Sequence, residues 1–184
     1  MREDMIEELE TIRCQYKPDQ VRVLFIGESP PCKQMSGKQD FFYFGRGLLF
    51  DATWEAFNQF DSRLFCRKDR FLDQFRGLGC YLDDLSQKPI TCLSDREKCN
   101  AREAGIVPLS KHIREYRPLA FVVVIKQIEE WVNEALKEAD FPAINPAYLH
   151  PFPRSEYKKR YMAGIKKNLR FFTAKGTLEL KGEL

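Results

Sequence analysis

Two short apolar runs, VRVLFI at 21–26 and LAFVVVI at 119–125, constrain this chain more than any other feature. Neither alternates polar with apolar residues along its length, so each reads as a strand buried on both faces. Pro18 and Gly27 bound the first. After it, GLLFDATWEAFNQF (47–60) sets Leu48, Leu49, Ala52, Ala56 and Phe60 at helical spacing. After the second, KQIEEWVNEALKEA puts Ile128, Trp131, Val132, Ala135 and Leu136 on one helical face. Buried strands separated by helices require crossover connections, and crossovers make neighbouring strands parallel.

The remaining segments extend that pattern. MREDMIEELE reads as a charged amphipathic helix, and 67–76 as a helix ended by Gly77 and Gly79. CYLDDL (80–85) is a short strand. Ser94, with Glu97 three residues later, forms a capping box that opens a helix reaching Tyr116. A last strand is expected around 143–149, and SEYKKRYMAGIKKNLRFF reads as a final basic helix. The predicted fold is α/β: a three-layer α/β/α sandwich around a central, mainly parallel four-stranded sheet, in a single domain spanning 1–184.

Composition sets the setting. With 184 residues, 43% of them hydrophobic, the chain has enough apolar surface for one sizeable core. No apolar stretch approaches the roughly 18 residues that span a bilayer, and the first residues lack a signal peptide's apolar centre. A cytoplasmic, monomeric protein with no membrane partner is expected. The six cysteines are scattered rather than paired as C-x-x-C, which favours reduced thiols. His112, inside a polar helix, reads as plain surface. A net charge of +3 says little about partners by itself. Its distribution says more, because Arg154, Lys158, Lys159, Arg160, Lys166, Lys167 and Arg170 crowd one segment against the single acid Glu156.

Ligands of parallel α/β sheets collect at the carboxyl ends of the strands. Two distinctive stretches fall there, GESPP (27–31) and HPFPR (150–154). GESPP resembles the first motif, G-E-x-P-G, of one branch of the uracil-DNA glycosylase superfamily. YFGRGLLFDATWEAF resembles that family's F-V-G-x-A-G-x-L-L segment, RPLAFVVVIKQIEEWV its R-P-x-V-V-x-x-L-G strand and helix, and HPFPRSEYKK its H-P-S-P-x-S-x-Y motif. The segments occur in the family's order and cover roughly residues 20–170.

The resemblance implies a DNA N-glycosylase of base excision repair, acting on a flipped, damaged or deaminated base such as uracil in single- or double-stranded DNA. Glu28 would orient water and stabilise the sugar cation, and His150 would donate to the base oxygen. Gly27 would let backbone approach the base, and Tyr43, with Phe44 one register away, would stack on it. Asp84, or Asp83, stands where the family has the asparagine that reads the base edge. Arg154 falls in the loop that enters the helix stack, and Lys158 and Lys159 would contact phosphates. The chain departs from the family at Asp84, at Phe152 in place of the H-P-S-P serine, and at Pro31 in place of the second glycine. No metal or other cofactor is expected. The branch's iron–sulfur cluster begins with a C-x-x-C pair, and Cys14 followed by QYK supplies only half of it.

Two other readings remain. A superfamily member that binds nucleic acid or a nucleotide without cleaving it would accommodate Asp84 and Phe152. A serine hydrolase would use Ser29, His150 and Asp83 or Asp84, since GESPP partly imitates G-x-S-x-G. Pro30 counts against it, because it restricts Ser29 where a nucleophile elbow needs a strained turn.

Overall fold

A computed structural model describes residues 3–32 and 40–180. The element order is α1 (Glu3–Gln15), β1 (Val23–Gly27), α2 (Leu48–Phe60), α3 (Phe71–Gly77), β2 (Cys80–Asp84), α4 (Asp95–Tyr116), β3 (Ala120–Val123), α5 (Glu129–Glu138) and α6 (Lys158–Ala174), with short 3-10 turns between them. Met1 and Arg2 of the expected first helix lie outside the described residues. The protein is α/β with a small parallel sheet ordered β2-β1-β3.

β1, central in the sheet, is buried along its whole length. Its side chains go alternately to the two faces. On one, Phe25 meets Phe75 of α3 at 5.1 Å between ring centroids. On the other, Tyr81 of β2 meets Tyr116 of α4 edge-on at 5.6 Å. Helices therefore cover both faces, and a phenylalanine cluster of Phe42, Phe50, Phe57, Phe71 and Phe75 fills the first.

The sheet has three strands, not four. Residues around 143–149 contribute one parallel bridge, Val123 to Leu149. Pro142 and Pro146 lack the N–H groups that a ladder needs. Asn145 accepts the Ala147 N–H at 2.9 Å and starts a 3-10 turn at Pro146–Tyr148 instead.

The expected capping box is present: Ser94 accepts from Glu97 N–H, and the Glu97 side chain accepts from Ser94 N–H at 2.9 Å. Gly105 sets how closely α4 lies on the sheet, since a Cβ there would overlap the Leu85 carbonyl. The expectation of reduced thiols is corrected at one pair. Cys32 and Cys92 form a disulfide joining segments 60 residues apart, while Cys14, Cys66, Cys80 and Cys99 are free. The scattered spacing concealed it because the two cysteines are brought together only by the loops that follow β1 and β2.

Candidate functional site

The carboxyl ends of the strands lie side by side. Gly27 registers with Asp84, and the two chains stay locked beyond it: Leu85 N–H donates to Gly27 O and Ser86 N–H to Glu28 O, both at 2.9 Å. On the other side of β1, Val123 registers with Ile26, and His150 N–H donates to the Val123 carbonyl at 2.9 Å. Glu28, Asp84 and His150 thus follow from neighbouring positions along one sheet edge. Gly27 has to be glycine here, because a Cβ would overlap Asp84 Oδ1. The loop after β1 is tied to the loop after β2 three times: by the disulfide, by Cys32 N–H to Thr91 Oγ1 (3.4 Å), and by Ile90 N–H to Ser29 Oγ (3.4 Å).

Glu28 is mostly buried, its side chain 14% exposed, and paired with Arg102 of α4. Arg102 Nε donates to Glu28 Oε1 at 2.8 Å, and Nη2 donates to the same oxygen. The Arg102 guanidinium lies 5.0 Å from the Trp131 ring of α5.

Both aspartates of β2 are held by Arg13, which enters from α1 and is 1% exposed. Its Nη1 donates to Asp83 Oδ1 at 2.7 Å and its Nη2 to Asp84 Oδ2 at 2.6 Å, while Nε finds no acceptor among the described residues. Asp83 also accepts from Gln87 Nε2 (3.1 Å) and faces His112 Nδ1 at 2.7 Å. Burial opposes ionisation of Asp83, but the His112 hydrogen bond and the Arg13 charge outweigh it and hold the carboxyl down at about 2. Asp84 goes the other way. Burial dominates over the Arg13 attraction, and with the negative charges of Asp83, Glu10 and Glu28 it pushes the carboxyl up to about 7. Asp84 Oδ1 receives no hydrogen bond from a described residue and sits over Gly27.

His112 is therefore not plain surface. Its hydrogen bond to Asp83 raises its pKa above the ordinary histidine value despite partial burial.

His150 is 5% exposed, and burial lowers its pKa to about 4, so the ring is neutral at pH 7. Both ring nitrogens turn toward α6. Asn168 Nδ2 donates to Nε2 at 2.7 Å, and Nδ1 lies where only a glycine, Gly164, leaves room.

Tyr43 is 2% exposed. Its hydroxyl donates to Leu82 O (2.9 Å) and accepts from Leu82 N–H (2.7 Å), which satisfies the outer edge of β2, and Tyr16 stacks on its ring at 5.6 Å. Phe44 is half-buried, with the Arg46 guanidinium 5.0 Å from its ring. Of the two sequence candidates for stacking, Phe44 retains the more open ring.

Arg154 and Lys159 are exposed, and neither is hydrogen-bonded or ion-paired through its side chain among the described residues. Lys158 differs, its ammonium 2.6 Å from Glu55 Oε1 of α2. Among the described residues, the Ser29 hydroxyl bonds to backbone, donating to Pro30 O at 3.1 Å and accepting from Ile90 N–H. Among the described residues neither histidine hydrogen-bonds to it: His112 faces Asp83, and His150 accepts from Asn168. Among the described residues, no cluster of three or more His, Cys, Asp or Glu has metal-binding geometry. No helix of those residues is long and apolar enough to cross a membrane.

Sequence reasoning singled out the strand-end acids but missed Arg13, Arg102 and Asn168, which hold them and the histidine. One signal for the arginines was available: each lies on the apolar stripe of its helix, Arg13 four residues after Leu9, and Arg102 three and seven residues before Gly105 and Leu109. A charge on a buried stripe requires a buried partner. Comparison with protein-family models and with curated proteins finds no match for this chain.

Proposed function

We propose that the protein is a DNA glycosylase-like enzyme of base excision repair, hydrolysing the bond between a flipped, deaminated base and its deoxyribose, on a three-layer α/β/α frame. The observation that carries this reading is the shared sheet edge: Gly27 in register with Asp84, with Glu28 next in the chain, beside the end of β3, whose Val123 carbonyl accepts the His150 N–H.

In the reaction, water adds to the anomeric carbon as the C–N bond breaks, and the bonding electrons leave with the base nitrogen. Glu28 stabilises the sugar cation and takes the water's proton, and the departing base takes a proton from solvent. In its ionised form Asp84, held through Oδ2, offers Oδ1, and that oxygen accepts a ring N–H. Deaminated bases such as uracil and hypoxanthine carry such an N–H. His150, neutral, serves as a donor to the base oxygen once Asn168 releases Nε2 and the ring proton moves from Nδ1 to Nε2. Arg154 and Lys159 hold the phosphates of single- or double-stranded DNA.

A second reading has an observation of its own. With His150 Nε2 held by Asn168 and the Tyr43 ring covered by Tyr16, a member that binds nucleic acid or a nucleotide without cleaving it suits the same site. Oligonucleotides carrying uracil, hypoxanthine, xanthine or a mismatched thymine, incubated with protein and then treated with alkali, separate the two. Strand scission at a modified base supports the glycosylase; binding without scission at any of them supports the second reading.

A further inference from the structure

We infer that Arg102 is a positioning residue for Glu28, fixing which carboxylate oxygen faces the reacting centre; this rests on the glycosylase reading above. Two donors of one guanidinium, Nε and Nη2, converge on Oε1, and no described residue donates to Oε2. A carboxylate gripped in this way cannot rotate to exchange its oxygens without breaking both hydrogen bonds. Oε2 becomes the acceptor for the attacking water.

The arginine is itself fixed. Its guanidinium packs on Trp131 of α5, a cation–π contact with a ring suited to holding a planar cation. Its helix is seated by Gly105, one turn further along, which admits the Leu85 carbonyl just beyond β2. The chain of contacts runs from α5 through Arg102 to the end of β1, and from Gly105 to the end of β2, so α4 couples both strand ends. Arg13 does the same for the second acid, holding Asp84 by Oδ2, while no described residue donates to Oδ1. In each case an arginine from a flanking helix takes one oxygen of a strand-end carboxylate and leaves the other.

A positioning role acts through Glu28, so the test is a double-mutant cycle on wild type, Glu28→Gln, Arg102→Gln and the double variant, with Arg102→Lys alongside. Single-turnover base release from a uracil-containing oligonucleotide is measured against protein concentration. Arg102→Gln is expected to lower the maximal rate by about 10- to 100-fold, with half-saturation unchanged within about twofold. Arg102→Lys should recover part of the loss, since an ammonium restores the charge but not the two-donor fork. In the Glu28→Gln background, Arg102→Gln should change nothing further. Fully additive losses, or a change confined to half-saturation, would overturn the inference. If wild type releases no base from any oligonucleotide, the glycosylase reading fails separately. The Arg102–Glu28 pair is then judged by urea unfolding of the same four proteins: non-additive midpoints sustain the coupling, and additive ones overturn it.

Discussion

Arg13 and Asp84 meet through Nη2 and Oδ2 at 2.6 Å, with their side chains only 2% and 5% exposed. The same guanidinium takes Asp83 at 2.7 Å, so one cation from α1 neutralises much of the charge at the end of β2. Burial of two carboxylates is tolerable only with that partner present. Replacing Arg13 by Met should destabilise the protein by about 3–5 kcal/mol, the usual result of leaving buried charge unpaired. Adding Asp83→Asn and Asp84→Asn to Arg13→Met should recover most of the loss. Urea unfolding of the three proteins checks this, and a single-variant midpoint near wild type would contradict it.

Asp84 and His150 have opposite pH effects in one window. Asp84 has a folded pKa of about 7, raised from the ordinary carboxyl value of 3.8, so the folded state binds its proton more readily, and stability from this group rises as pH falls from 7 toward 4. His150 has a folded pKa of about 4, lowered from 6.5, so its contribution is lost as pH falls through that range. Each slope is on the order of 1 kcal/mol per pH unit, and they oppose. Wild-type stability should therefore be nearly flat from about pH 4.5 to about 6.5. Asp84→Asn should expose a clear loss on acidification. Equal pH slopes in the two proteins, from denaturant titrations, would show that Asp84 does not take up a proton on folding.

The strands that build the site edge were legible because apolar runs buried on both faces have few alternatives, and Ser94 with Glu97 marked the start of α4 without ambiguity. The fourth strand was misread at 143–149, where apolar character outweighed Pro146, and Pro142 just before it, which deny the ladder its donors. At the site, the acids could be placed from sequence because they follow strands. Their partners could not, since Arg13 and Arg102 lie far from them in the chain, at separations of 71 and 74 residues. His112 was misread because its polar helix neighbours hid that it borders the buried stripe of Leu109 and Ile113, facing Asp83.

The Cys32–Cys92 bond closes a loop of 60 residues, and the chain-entropy model gives such a loop about 4 kcal/mol of stabilisation. Thiol labelling of the denatured, unreduced protein should find the four free cysteines Cys14, Cys66, Cys80 and Cys99, and all six after reduction. Cys92→Ser should lower stability by a similar amount. Six reactive thiols without reductant would show that the loops are not covalently joined.

Along the basic segment, unpaired charges should matter more than paired ones. Arg154→Ala and Lys159→Ala should each weaken DNA binding on all sequences alike and flatten the salt dependence, by roughly 0.9 in the slope for every duplex phosphate left without its cation. Lys158→Ala should do less to binding, because its ammonium already pairs with Glu55 between α6 and α2. Affinity titrations from low to high salt distinguish these variants; an unchanged slope in both Arg154→Ala and Lys159→Ala would make the helix an ordinary solvated face.

The account turns on Glu28 as the group that stabilises the sugar cation and receives the water's proton. Glutamine at this position keeps the size and the Oε1 acceptor for Arg102 while removing the negative charge. Single-turnover release of uracil from an oligonucleotide by wild type and Glu28→Gln, at equal saturation, is the most direct measurement. The rate is predicted to fall by roughly a hundredfold or more, the scale of a lost transition-state interaction, with DNA affinity retained. A Glu28→Gln protein that releases uracil at the wild-type rate would contradict the account.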